Sequence, residues 1–136
     1  MGGIRAMPVL ACADPQAVAA FLTAGLGFTL AGWWRDEAGA PSFGVARLGD
    51  ATLALRRAEG PPAAPNGAEG PTAWAACIYV EDARDFATLA AANGVTIRRG
   101  PEDTPYACRE VEVASPEGHV LCFAQDLDPG PRGPGL

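Results

Sequence analysis

Histidine occurs once in the 136 residues, at His119, so a metal site built on several imidazoles cannot be assembled from this chain. Lysine is absent. All ten bases are arginine, and because they also stand at positions that read as ordinary surface, the bias carries no mechanistic weight. Sixteen acids against ten bases leave a formal charge of −6, which disfavours a nucleic-acid binder that must neutralise several phosphates. No run approaches the roughly 20 apolar residues of a spanning helix, and the N-terminus lacks the charged-then-apolar pattern of a secretory signal. A cytoplasmic setting without a membrane partner is expected. The cysteines, Cys12, Cys77, Cys108 and Cys122, lack the paired spacing of a zinc site. They read as reduced, mostly buried small hydrophobes, a ligand or nucleophile role being the alternative.

What is present is enough apolar sequence, 49% hydrophobic against 19% charged, for one globular domain with a real core. Shifting the sequence by 68 residues shows an approximate repeat. Asp14 overlays Asp82, Phe21 overlays Leu89, and Leu53-Ala54-Leu55 overlays Leu121-Cys122-Phe123. In the first half, Pro8 to Cys12 reads as a strand and Asp14-Pro15 as a helix start. Val18, Phe21 and Leu22 follow at helical spacing, and Gly25 to Gly27 end the helix. Strands follow at 28–35, 42–48 and 51–57, the last two joined by a Gly49-Asp50 turn. The second half repeats the plan: strand 74–80, a helix capped by Asp82 and stopped at Asn93-Gly94, then strands 95–99, 106–114 and 119–125. Ser115-Pro116-Glu117-Gly118 is the turn before the last of these. The expected organisation is a single domain over 1–127, with module one at 6–57, a Pro- and Gly-rich linker at 58–72 and module two at 73–127. A disordered tail is expected at 128–136.

The paired halves, the Ala-Gly-Leu-Gly-Phe stretch from Ala24 to Phe28, and Ser115-Pro116-Glu117-Gly118-His119 together resemble the vicinal-oxygen-chelate superfamily. That group includes glyoxalase I, extradiol dioxygenases and bleomycin-resistance proteins. Met7-Pro8-Val9-Leu10 and Pro105-Tyr106-Ala107-Cys108-Arg109-Glu110 resemble the bleomycin-resistance branch. The resemblance covers residues 6 to 127. It implies an α+β fold of two βαβββ modules whose curved mixed sheets surround a cleft. It also implies a homodimer in which Pro8 belongs to an exchanged N-terminal arm, although a proline at a strand start explains that residue equally.

The superfamily's enzymes hold a divalent metal at four places, through His, Gln or Glu. By the resemblance these places fall on Met7, Ala75, Ala54 and Cys122, which supply no such donor. No metal and no cofactor is therefore expected. His119 stands where the superfamily places Asn or His, and reads as a turn residue or as a general base.

Strand alternation sorts the side chains into faces. Leu53, Leu55, Leu121 and Phe123 are expected to face the helices. Thr52, Ala54 and Arg56, with Val120, Cys122 and Ala124, are expected to line the cleft. With Val111 and Val113 in the core, Tyr106, Cys108, Glu110 and Glu112 fall on the cleft side. Two acids beside an aromatic ring suit a cationic, planar ligand; a solvated acidic face is the other reading. Counting from Phe28 and Leu30 as core places Trp33 outward and Trp34 inward. Phe43 matches an aromatic of the resistance branch or packs in the core with Val45, and Trp74 sits at the cleft mouth.

The leading expectation is a metal-independent protein that binds and sequesters an antibiotic-like small molecule, cationic and partly aromatic, without chemistry. The alternative is a superfamily enzyme, a lyase, isomerase or dioxygenase, with a displaced metal site or none. Glu110, Glu112, Cys122 and His119 would then carry its chemistry. A third reading is an auxiliary domain with a degenerate cleft.

Overall fold

Two aspartates set where the helices begin. In the computed structural model, which describes residues 1–59 and 73–136, the Asp14 carboxylate accepts from the Ala17 amide at 3.2 Å. The Asp82 carboxylate accepts from the Asp85 amide at 2.9 Å. Each cap satisfies an amide that the helix leaves without an intrahelical partner. Helix α1 (Pro15–Ala20) has proline in its first turn and widens into a π turn over Phe21–Gly25. Helix α2 (Ala83–Ala92) ends at Asn93.

The chain divides into two compact units. In the first, strands β1 (Val9–Cys12), β2 (Thr29–Arg35), β3 (Pro41–Leu48) and β4 (Ala51–Arg57) form a sheet in the order β1-β4-β3-β2. In the second, β5 (Ala76–Tyr79), β6 (Ile97–Asp103), β7 (Cys108–Ala114) and β8 (Val120–Asp126) form a sheet in the order β5-β8-β7-β6. The first strand of each unit runs parallel to its last, and the remaining pairs are antiparallel. The protein is thus α+β, with two four-stranded mixed sheets each following a strand, helix, three-strand plan. Most of the linker expected at 58–72 lies outside the described residues.

One face of each sheet is apolar and packs on its helix. In unit one the core holds Leu10, Val18, Leu22, Leu53 and Leu55. In unit two the ring of Phe86 on α2 stacks on Phe123 of β8, with centroids 4.1 Å apart, and Ala83, Ala87 and Val111 pack beside them. Residues 128–136 run through a series of turns. Asp126 anchors them, its carboxylate accepting from Asp128 N at 3.0 Å and Gly135 N at 2.8 Å.

Two β-bulges redirect side chains. A register shift between Leu30 and Gly32 inverts the alternation of β2, so Trp33 pairs with Gly44 and shares the face of Ala46, Leu53 and Leu55. Trp34 pairs with Phe43 on the opposite face. This corrects the expected assignment of Trp33 outward and Trp34 inward, because counting by twos from Leu30 cannot register an inserted residue. Gly44 is required by the same arrangement, since a Cβ there would lie 2.5 Å from the Trp33 ring. The second bulge lies in β6, between Ile97 and Arg99.

Candidate functional site

The helix-free face of unit two collects most of the chemistry-bearing residues. Strand register aligns Cys77, Cys122, Glu112 and Arg99 in one row across the sheet. Tyr79, Ala124, Glu110 and Glu102 form the next. The expected alternation of β7 and β8 is therefore present, with Glu110, Glu112 and Cys122 opposite Val111, Val113 and Phe123.

The acids are nevertheless not an open carboxylate pair. Glu110 and Glu112 are only 2% and 1% exposed. Arg99 is the reason. Its Nε donates to Glu112 Oε2 at 2.6 Å, one terminal nitrogen donates to Glu110 Oε1 at 2.9 Å, and the other pairs with Glu102. Uncompensated burial of one carboxylate costs several kcal/mol, so the guanidinium is what lets both stand out of water. Burial opposes the Arg99 charge, but hydrogen bonds to Glu112, Glu110 and Glu102 outweigh it and hold its pKa above the ordinary arginine value. Glu102, Glu110 and Glu112 still outnumber the guanidinium three to one, so the cluster keeps a formal acidic excess.

Two aromatics complete the cluster. Trp74 Nε1 donates to Glu112 Oε1 at 3.3 Å, and the Tyr106 hydroxyl donates to Glu110 Oε2 at 2.6 Å. The hydrogen bond to Glu110, followed by burial, pushes the Tyr106 pKa up to about 12, so the phenol remains a donor at neutral pH. Its ring is 62% exposed. Tyr106 lies in the turn before β7 rather than within the strand, and Ala107 beside it has a left-handed backbone, φ 59°. Gly100, φ 84°, lies against the Glu110 carbonyl, where any Cβ would collide with that oxygen.

Arg99 was missed by sequence reasoning. Alternation from Ile97, which pairs with Val113 in the core, assigns Arg99 to the helix side. The bulge inverts it, and the only sequence signal was the adjacent Gly100-Pro101. Cys108 and Cys122 are both buried, and burial pushes the Cys108 thiol up. Ala54 and Ala124, expected to line a cavity, are buried as well. In unit one the helix-free face carries Trp34 and Phe43 as cross-strand neighbours, Trp34 being 75% exposed and Phe43 half-buried. Trp33 lies on the helix side and leaves the candidate set for that face. A groove of about 440 Å³ between α2 and Pro101, lined by Arg84, Ala87, Thr88 and Ala91, is on the helix side and holds none of these residues.

His119 is buried in the turn that precedes β8. Ser115 Oγ accepts from the amides of Glu117 at 3.2 Å and His119 at 3.1 Å, and lies 2.7 Å from His119 Nδ1. The pair clasps the turn. His119→Ala is expected to lower unfolding free energy by about 1–2 kcal/mol in urea denaturation; an unchanged midpoint would contradict the clasp.

At the four places the resemblance assigns to metal ligation, Ala54 and Ala75 end in methyl groups, Met7 offers only a thioether, and Cys122 is a buried thiol in register with Cys77. These residues do not fit a four-ligand divalent site. Among the described residues, no group of three or more His, Cys, Asp or Glu is placed to hold a metal ion.

Residues 5–123 match the family model described as the Glyoxalase/Bleomycin resistance protein/Dioxygenase superfamily, and the chain belongs to that superfamily. Its fold recurs in solved structures of low identity. A glyoxalase-related enzyme from Clostridium phytofermentans has a TM-score of 0.72 at 16% identity, over 93% of this chain and 97% of that one. A bleomycin-binding protein complexed with bleomycin has a TM-score of 0.66 at 20% identity, over 90% and 98%. TnmS3, an antibiotic-binding protein from Streptomyces sp. CB03234, has a TM-score of 0.66 at 18% identity, over 93% and 99%. At these identities the likeness shows the fold alone. No curated protein matches the chain.

Proposed function

We propose that this protein is a metal-independent binder that sequesters a cationic, partly aromatic small molecule of the antibiotic class. The observation that carries the proposal is the cluster on the helix-free face of unit two. Three carboxylates surround one guanidinium, and Tyr106 and Trp74 donate to two of them. An acidic excess raises the local concentration of a cation, and an exposed phenol ring supplies a stacking surface. The binding of bleomycin and of antibiotics by two proteins of the same fold supports this ligand class. Titration of bleomycin and of ethidium, followed by tryptophan fluorescence, is expected to give saturable binding at micromolar concentrations. Absence of binding for both overturns the proposal.

Unit one has its own exposed aromatic on the helix-free face, Trp34. Its ring is mostly solvated, so Trp34→Ala is expected to change stability by less than about 0.5 kcal/mol. Ligand affinity is expected to fall about tenfold through loss of a stacking surface. Unchanged affinity removes Trp34 from the candidate ligand-binding residues. The protein acts in this account as a cytoplasmic homodimer. Ile4, Met7 and Val9, exposed around Pro8 at the N-terminal end of β1, are the apolar surface such an arm would bury. Light scattering of the purified protein tests the dimer.

The enzyme reading is favoured by one observation, the fold shared with a glyoxalase-related enzyme. Three of its four candidate groups are otherwise engaged, Glu110 and Glu112 with Arg99 and His119 with Ser115, which leaves Cys122. Turnover of a superfamily substrate by the purified protein would establish that reading.

A further inference from the structure

We propose that Cys77 and Cys122 form a reversible dithiol–disulfide site on the helix-free face of unit two, with a hydroperoxide as the oxidant. The two residues are direct register partners on the parallel strands β5 and β8. Neighbouring strands lie about 4.7–4.9 Å apart, within the roughly 4.4–6.8 Å between Cα atoms that a disulfide spans. Direct partners also project to the same face, so the two thiols meet without either strand turning over. Access differs between them: Cys77 is exposed and Cys122 is fully buried. The site has an entry thiol and a thiol behind it.

Local chemistry divides the roles the same way. The neighbouring Cys122 thiol holds Cys77 below the ordinary thiol range. The Cys77 sulfur beside it, with burial, holds Cys122 well above that range. Cys77 is therefore the attacking thiolate. It attacks one peroxide oxygen, the O–O bond breaks, and Cys77 becomes a sulfenic acid as hydroxide leaves and takes up a proton to become water. Cys122 then attacks the sulfenic sulfur, loses its proton and displaces a second water. In total two thiols and one hydrogen peroxide give one disulfide and two waters. A thiol reductant returns both thiols by exchange.

The remaining cysteines have no such partner in register. Cys108 pairs with Asp126, and Cys12 pairs with Arg57 in unit one. Cys122 is also the immediate cross-strand neighbour of Glu112, so the bond would close at the border of the acidic cluster. The site stands on strand register and thiol access, independently of which ligand the cluster takes.

The test treats the full chain with hydrogen peroxide, blocks remaining thiols with a maleimide and maps peptides by mass spectrometry. The expected result is a fall from four titratable thiols to two and a protein lighter by about 2 Da. A single peptide should link Cys77 to Cys122, and dithiothreitol should reverse it. Cys77→Ser, a change at an exposed position, is expected to abolish the linkage. Cys122→Ser is expected to leave Cys77 as a sulfenic acid that dimedone traps. The proposal is overturned if all four thiols survive, if the link joins two chains, if another cysteine pair is joined, or if Cys77 passes directly to sulfinic acid in the unmodified chain.

Discussion

Replacing Arg99 with methionine is expected to lower the free energy of unfolding by about 3 kcal/mol, among the largest losses of any single change outside the apolar core. Methionine preserves much of the apolar stem but removes all three donors, stranding Glu110 and Glu112 in a site from which water is nearly excluded. Breaking a buried pair from one side costs about 3–5 kcal/mol. The lower end applies because the Arg99 side chain is itself 24% exposed and some water can replace it. A control separates stranded charge from lost packing. Arg99→Met combined with Glu110→Gln and Glu112→Gln is expected to recover stability to within about 1 kcal/mol of the unmodified protein, since no buried carboxylate then lacks its cation. Urea denaturation of the single and triple variants measures both. A single variant within about 0.5 kcal/mol of the unmodified protein, or a triple variant no better than the single, would contradict the account.

Glu110→Gln with Glu112→Gln is expected to weaken binding of a cationic aromatic ligand about 30-fold, equivalent to about 2 kcal/mol. Glutamine keeps the side-chain shape but offers one acceptor oxygen where each carboxylate offers two, so each position retains one of its two hydrogen bonds from Arg99, Trp74 and Tyr106. The larger change for a cationic ligand is the charge balance, from three carboxylates per guanidinium to the single Glu102–Arg99 pair. Salt should also matter less: unmodified protein is expected to lose ethidium affinity as ionic strength rises, and the double variant to lose little. A neutral aromatic of similar size serves as the internal comparison. Equal losses for the cation and the neutral compound would assign the effect to altered shape rather than charge.

Much of the fold was legible because its signals are local. Asp14-Pro15 and Asp82 announce helix starts through capping chemistry. The alternation of β7 and β8 is regular, so the faces of Glu110, Glu112 and Cys122 followed from counting by twos. Counting failed where the backbone inserts a residue. The bulge after Leu30 exchanged the places of Trp33 and Trp34, and the bulge after Ile97 hid Arg99. A bulge depends on the register between two strands, which neither strand encodes alone. The second error had the larger consequence, since without Arg99 two buried carboxylates read as an open acidic surface. That Ala54 and Ala75 offer no donor, by contrast, was readable directly, because an alanine lacks one wherever it is placed.

The most direct test of the account is a calorimetric titration of ethidium into protein dialysed against EDTA, repeated after addition of zinc. Recognition through carboxylates and aromatic rings predicts saturable micromolar binding to the metal-stripped protein, with the same affinity when zinc is present. Heat of binding that appears only after the ion is added would contradict it.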